Sequence, residues 1–420
     1  MTAAAVDTDE SKGPAVGDAE PLGRGGARTD RPLRIAYCMS RTLERYQGTY
    51  GRYIGQARLL RDLGHAVTVF GVNREMNLPE DEEHYGVRVH RVPVRALNWA
   101  GPRNATNFLK MHRAQFDRIA AEGFDAVKVV GLDMSPMVRM VKRKLGLPVI
   151  FDMHEPKQYS FWTGPRRLLL PLLYRVERRA ARAADAVQVT SEWQRSKYRK
   201  WGCDDVTIVG NQPLWDERID EWPEGKFDEV RAGGPVVFGR LGTVYKGTGL
   251  DELLRAFAQV YAKFPDRARL RMAGKVADYY QEEFERTIEP YRDGLILSGA
   301  YITTDMPALY GEMHVSVLPY LMDANFSFIN PSKFYDSIGN ATAVVMTPIG
   351  DMGAIVPRVR CGKLIDPERI DTIVQAMTDY LERPETIVED ARRGFEASLG
   401  EFSWKANQRQ LEETFQKIVG

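Results

Sequence analysis

Cysteine is scarce in this chain. Cys38, Cys203 and Cys361 are the only three, far apart and odd in number. They make neither a disulfide framework nor a zinc-ligand spacing, which suits a reducing compartment and predicts a cytoplasmic protein. An excess of charge of one sign is equally lacking. Lys and Arg number 58 against 57 Asp and Glu, a net charge of +1, so no global basic field draws the chain to nucleic acid. No apolar run approaches the roughly 20 residues of a membrane span. The only Asp-x-Asp, Asp7-Thr8-Asp9, lies near the N-terminus, and no His/Cys cluster has ligand spacing. Neither a metal nor another bound cofactor is therefore expected. Residues 1–32 are rich in Ala, Gly, Pro and Asp and lack the apolar core of a signal peptide. They read as a disordered tail of a protein that is not secreted.

What is present is a globular composition, 44% hydrophobic and 27% charged over 420 residues, too long for one ordinary core and suited to two domains. Short apolar runs without polar alternation occur at Leu33–Cys38, Ala66–Gly71, Val87–Val92, Ala126–Gly131, Val149–Met153, Ala186–Thr190 and Val206–Val209. Stretches with helical spacing separate several of them, at Arg52–Leu63, Thr106–Ala121 and Met137–Leu145. That alternation predicts a parallel sheet covered on both faces. It restarts after Asn211-Gln212-Pro213 and a polar stretch, Asp216–Asp228, with strands predicted at Val236–Gly239, Leu270–Ala273, Gly294–Ser298, Val315–Leu318, Ala343–Met346 and Lys363–Ile365. The expected fold is α/β, two doubly wound domains over 33–212 and 213–401, with ligands at the carboxyl ends of strands and in the cleft between domains.

Two segments carry the strongest ligand signals. Gly239-Arg240-Leu241-Gly242-Thr243-Val244-Tyr245-Lys246-Gly247 follows an apolar strand and offers one guanidinium and one ammonium. Arg240 can grip phosphate oxygens bidentately and Lys246 adds a point charge, enough to balance a diphosphate, although a solvated surface loop needs the same residue types. Asn330-Pro331-Ser332-Lys333-Phe334-Tyr335-Asp336 has the marks of a helix start, whose free amides bind anionic oxygens. Asp336 lies one turn in, placed for a ribose diol or simply favoured by the helix dipole. Gly48, Thr49 and Gly51 form a first-domain loop that lets backbone approach a ligand, or a tight turn into a helix. Asp152 at the end of a buried strand and His154 and Glu155 just after it are candidate sugar- and acceptor-side groups, or a turn cap and a structural histidine, and Tyr50, Trp99, Tyr159 and Trp162 offer flat faces for an acceptor or serve as ordinary loop anchors. Gly164–Arg182 alternates basic and apolar residues, a pattern that fits peripheral contact with an anionic membrane or a packed helix interrupted by Pro171.

In motif order the chain resembles the retaining family 4 (group 1 type) glycosyltransferases of the GT-B fold. "GTYGRYIGQARLLRDLGHAVTVF", "RAADAVQVTSEWQ", "VTIVGNQP", "GRLGTVYKGTGLDELLRAF", "PSKFYDSIGNATAVVMTPIG" and "FSWKANQRQLEETF" carry the resemblance, from about residue 33 to the end. It implies two Rossmann-like domains facing across a cleft, an acceptor domain over 33–212 and a donor domain over 213–401, with the helix 402–420 packing back on the first. It implies a metal-independent, hexosyltransferase-type transfer, with retention, from a UDP- or GDP-linked sugar to an acceptor hydroxyl. The acceptor would be a small molecule or a lipid-linked one, in cell-envelope glycan or natural-product synthesis. Arg240, Lys246 and Gly239 would hold the diphosphate with Asn330, Pro331, Ser332 and Lys333, and His154 would face the donor sugar. Asp336 takes the place of the second of two family glutamates; the first falls on Phe328. That substitution keeps alternatives open: a sugar-nucleotide epimerase, a pseudo-glycosyltransferase, or an inactive binding protein.

Overall fold

The computed structural model describes residues 31–44, 50–94, 102–154, 168–322 and 327–420, with backbone alone at Tyr50 and 102–105. Eight strands form the first sheet: β1 (Arg34–Cys38), β2 (Ala66–Val72), β3 (Asp81–His84), β4 (Val87–Val92), β5 (Ala126–Val130), β6 (Val149–Asp152), β7 (Ala186–Val189) and β8 (Val206–Ile208). Their order is β3-β4-β2-β1-β5-β6-β7-β8. All pairs are parallel except β3 with β4. The sequence gives β3 no apolar signal, because Asp-Glu-Glu-His is a charged edge strand of the kind that resists further pairing. It joins β4 through Tyr85-Gly86, both at positive φ (52° and 73°), the conformation a two-residue hairpin requires.

The second sheet contains β9 (Val236–Leu241), β10 (Ala268–Ala273), β11 (Leu295–Ser298), β12 (Val315–Leu318), β13 (Ala343–Met346) and β14 (Gly362–Leu364). It is wholly parallel, in the order β11-β10-β9-β12-β13-β14. In both sheets the central strands are largely apolar on both faces and close to fully buried, which is why their sequences lack regular alternation. Strand order reverses beside β1 in the first sheet and beside β9 in the second. Crevices open at such reversals, at the carboxyl ends of the strands.

The last helix, Trp404–Val419, lies against the first sheet's layer. Phe415 stacks on Tyr37 of β1 at 6.3 Å, and Thr414 bonds Thr207 of β8 at 3.1 Å. Trp404 donates to the Pro213 carbonyl at 2.7 Å and lies on Gly55, where an added Cβ would come within 2.6 Å of the indole. Only glycine in the Tyr50–Asp62 helix admits that ring.

Candidate functional site

Strand β9 extends further than its sequence suggests and carries Arg240 inside it. The cation is tolerated there because its guanidinium turns back onto the following loop, donating to the Thr248 carbonyl (3.1 Å) and hydroxyl (2.9 Å). Arg240 is only 8% exposed, and burial lowers its pKa. Lys333, in the first turn of the Ser332–Gly339 helix, comes to the same place. A Cβ on Gly242, which has φ 118°, would lie 2.9 Å from the Lys333 ammonium, so only glycine lets the two approach. Burial lowers the Lys333 pKa, with Asp336 opposing and the neighbouring Arg240 charge reinforcing the shift. Neither Arg240 nor Lys333 forms an ion pair with a described residue. Two desolvated, mutually repelling cations at a strand end and a helix N-terminus have the chemistry to receive an anion.

Lys246 does not join them. Its side chain is 55% exposed and pairs with Glu283 at 2.6 Å, an arrangement that raises its pKa. Where the sequence paired Arg240 with Lys246, the structure instead holds the Lys246 ammonium outward on Glu283 and places Lys333 at the inner position beside Arg240. Gly239 also has a different reason for being glycine. Its missing Cβ would lie 2.4 Å from Met313 Cε, so it serves packing beneath the sheet end.

Asp336 lies half-buried beyond Lys333. Burial raises its pKa, the charge of Glu217 adds to the rise, and Lys333 partly offsets it. Glu217 comes from the interdomain segment, where its Oε2 accepts from the Leu214 amide at 3.0 Å. Sequence reasoning assigned Glu217 nothing, since one acid in a polar stretch gives no signal. Gly51, in the first turn of the first-domain helix, approaches the same carboxylate: a Cβ there would be 3.2 Å from Glu217 Oε2.

Asn330 and its neighbours tie the two domains together. Asn330 donates to the Thr190 carbonyl at 2.9 Å and to Asp351 at 2.8 Å, and its own carbonyl accepts from Asn211 at 3.0 Å. Asp351 in turn accepts the amide of Glu192, at 2.9 Å, at the start of the Glu192–Lys200 helix. Phe328 stacks on Trp193 of that helix, with centroids 4.1 Å apart. The Phe328 ring is thus taken up by a contact across the interface. Pro331 ends the turn and Ser332 opens the helix beside Lys333.

His154 follows β6 and is 4% exposed. The Tyr53 hydroxyl lies 2.9 Å from its Nδ1, and Thr190 links its carbonyl region to Asn330 across the interface. Asp152, expected on the acceptor side, is instead fully buried. Lys128 pairs with it at 2.8 Å and Arg52 at 3.3 Å. Burial would raise this carboxyl, but the charges of Lys128 and Arg52 outweigh it and hold the pKa at about 2. For Lys128 burial wins over Asp152 and brings the pKa to about 8. The trio anchors the end of β6 under His154 and offers nothing to solvent. Gly48, Thr49, Trp99, Glu155, Tyr159 and Trp162 lie outside the described residues, as does the Tyr50 side chain. Pro171 does not interrupt the basic helix: it sits in the first turn of Leu170–Ala183, where its missing N–H costs nothing. Among the described residues no cluster of three His, Cys, Asp or Glu could hold a metal, and no helix is long and apolar enough to cross a membrane.

Residues 48–212 match the model of a glycosyl transferase 4-like domain, and residues 235–383 match that of glycosyl transferases group 1. No curated protein matches the chain significantly. Among solved structures, sucrose-phosphate synthase from Thermosynechococcus elongatus superposes with a TM-score of 0.76 at 16% identity, over 92% of this chain and 99% of that one. The catalytic domain of starch synthase IV from Arabidopsis thaliana, bound to ADP and acarbose, gives 0.69 at 11% identity, over 93% and 100%. Anabaena HepE in complex with UDP gives 0.65 at 14%, over 91% and 99%.

Proposed function

Because this chain belongs to the group 1 glycosyltransferases and has the GT-B fold, we propose that it transfers a sugar from a UDP- or GDP-linked donor to an acceptor hydroxyl, with retention and without a metal. The observation that carries this reading is the pair Arg240 and Lys333, two cations without an ion-pair partner among the described residues, meeting at the carboxyl end of β9. The donor's diphosphate lies between them, with the helix amides at Ser332 and Lys333 on its far side. Asp336, with Glu217 behind it, takes the ribose hydroxyls. The sugar then projects toward the first domain and His154, whose imidazole is oriented by Tyr53.

As the anomeric C–O bond to the diphosphate breaks, charge grows on the leaving oxygen, and Arg240 and Lys333 stabilise it. The acceptor oxygen attacks from the same face. Its proton passes to the leaving phosphate oxygen, so that sugar oxygen, proton and diphosphate all balance without an enzyme nucleophile. Two fixed cations supply the neutralisation that a divalent ion would otherwise give. HepE and starch synthase IV, similar in fold, hold UDP and ADP respectively, which supports a nucleotide-linked donor here. The acceptor is a small molecule or a lipid-linked one, used in building envelope glycans or natural products inside the cell. Incubation with a panel of UDP- and GDP-sugars tests the proposal. Nucleoside diphosphate release in EDTA and a product whose NMR shows the donor's anomeric configuration are expected; an inverted product refutes the retaining course.

A further inference from the structure

A second charged feature lies on the first domain, away from the residues placed at the donor. The Ser135–Lys144 helix packs against Leu170–Ala183, and a groove of about 650 Å³ runs between them. Arg139, Lys142 and Arg143 line one side, and Arg175, Arg178, Arg179 and Arg182 the other. Lys142 pairs with Asp185 at 2.7 Å. The six arginines are exposed and form no ion pair with a described residue. A chain with a net charge of +1 has therefore concentrated seven cations, and no lining carboxylate, on one face.

Apolar residues turned to solvent stand at the start of the same helix: Leu168 and Leu169 in the turn that leads into it and Leu172 in its first turn are 79%, 48% and 57% exposed. Leu172, Arg175, Arg179 and Arg182 are spaced by three, four and three residues, the repeat that keeps side chains on one helix face, and Leu168 stands in the turn just before it. From Leu172 to Arg182 this stripe extends about 15 Å at 1.5 Å per residue. Leucines at one end and arginines along the rest form the pattern of a helix that lies in a bilayer interface. A nucleic acid or an acidic protein would complement the arginines but leave the leucines in water.

We propose that this face docks the protein peripherally on an anionic lipid bilayer, with the leucines entering the acyl boundary and the arginines on the headgroup phosphates. This surface is independent of the donor site, and its test does not require that site to be active. Each cation near an anionic bilayer contributes about a fivefold gain in partition, so three together contribute about a hundredfold. Full-length protein is co-sedimented with pure phosphatidylcholine vesicles and with mixed phosphatidylcholine–phosphatidylglycerol vesicles at several salt concentrations. Binding to the mixed vesicles alone, weakening as salt rises, is expected. Arg175→Glu/Arg179→Glu/Arg182→Glu should lower it by about a hundredfold or more while circular dichroism stays unchanged. Leu168→Ser/Leu172→Ser should weaken vesicle binding yet leave retention on heparin, a soluble polyanion, as it was. Absence of vesicle binding by the wild type overturns the proposal, as does equal binding by the arginine variant. Arginine-dependent binding to RNA or heparin without vesicle binding would assign the face to a different polyanion and refute the lipid reading.

Discussion

Replacing Lys333 and Lys246 separately by alanine distinguishes two lysines that look equivalent in the sequence. Lys333 places its ammonium against Gly242 and beside Arg240, at the strand end where the diphosphate is proposed to lie. Lys246 is paired with Glu283 on the surface. Removing a donor that stabilises developing charge in a desolvated site costs about 3–4 kcal/mol, or two to three orders of magnitude in turnover. Lys333→Ala should therefore lose roughly that much, and Lys246→Ala should stay near wild type. Gly242→Ala offers a third view: its backbone φ of 118° is strained for any side chain, and the new Cβ would come within 2.8 Å of Lys333 Cε. It should lower turnover by displacing Lys333 without deleting a charge. The assay is nucleoside diphosphate release from the best donor of a UDP- and GDP-sugar panel, with thermal melts confirming folding. If Lys246→Ala loses activity by orders of magnitude while Lys333→Ala retains it, the assignment of the inner cation is wrong.

Arg240→Ala should match Lys333→Ala in turnover, because the loss of either leaves one cation against the leaving group. Gly55→Val should lower stability by about 1–3 kcal/mol, as overpacking does, because Trp404 is buried and held by Pro213 and has no room to retreat; an unchanged denaturation midpoint would contradict that packing. Asp152→Asn should cost about 3–5 kcal/mol by leaving Lys128 and Arg52 uncompensated. Because the Asp152 pKa is depressed to about 2 on folding, its contribution is present above the unfolded carboxylate value and is lost as pH falls through about 2. Denaturant melts between those pH values should show that loss in the wild type and not in the variant. Asp351→Ala removes the acceptor for the Glu192 amide and for Asn330, and small-angle scattering should then report a wider separation of the two domains.

Much of the fold could be read from the chain because both sheets are parallel and buried on both faces, so strands stand out as unbroken apolar runs between helices. β3 could not, since an edge strand of Asp and Glu has no such run. The end of β9 at Leu241 is hidden in the sequence for a related reason. A cation reads as loop, and its compensation by Thr248 is a contact eight residues away. The helix start at Pro331–Ser332 and the acid at Asp336 were legible from capping chemistry and motif order. Which lysine turns inward was not, because loop composition does not determine side-chain direction. Glu217 approaching Asp336, Asn330 holding Thr190, and Phe328 stacked on Trp193 all join segments more than a hundred residues apart. Such contacts depend on how the domains meet, and no local pattern records that. Asp152 misled for the converse reason: an acid at a strand end beside His154 looks available, and only the burial of Lys128 and Arg52 shows that it is spent.

In the proposed site Arg240 and Lys333 together hold a nucleoside diphosphate without a metal. Calorimetric titration of the wild type and of Arg240→Ala/Lys333→Ala with UDP and with GDP, both in EDTA, tests it most directly. A measurable affinity of the wild type for at least one of the two nucleotides is expected, and its loss in the double variant with the fold intact. Binding that requires added magnesium or manganese, or that survives in the double variant, would contradict it.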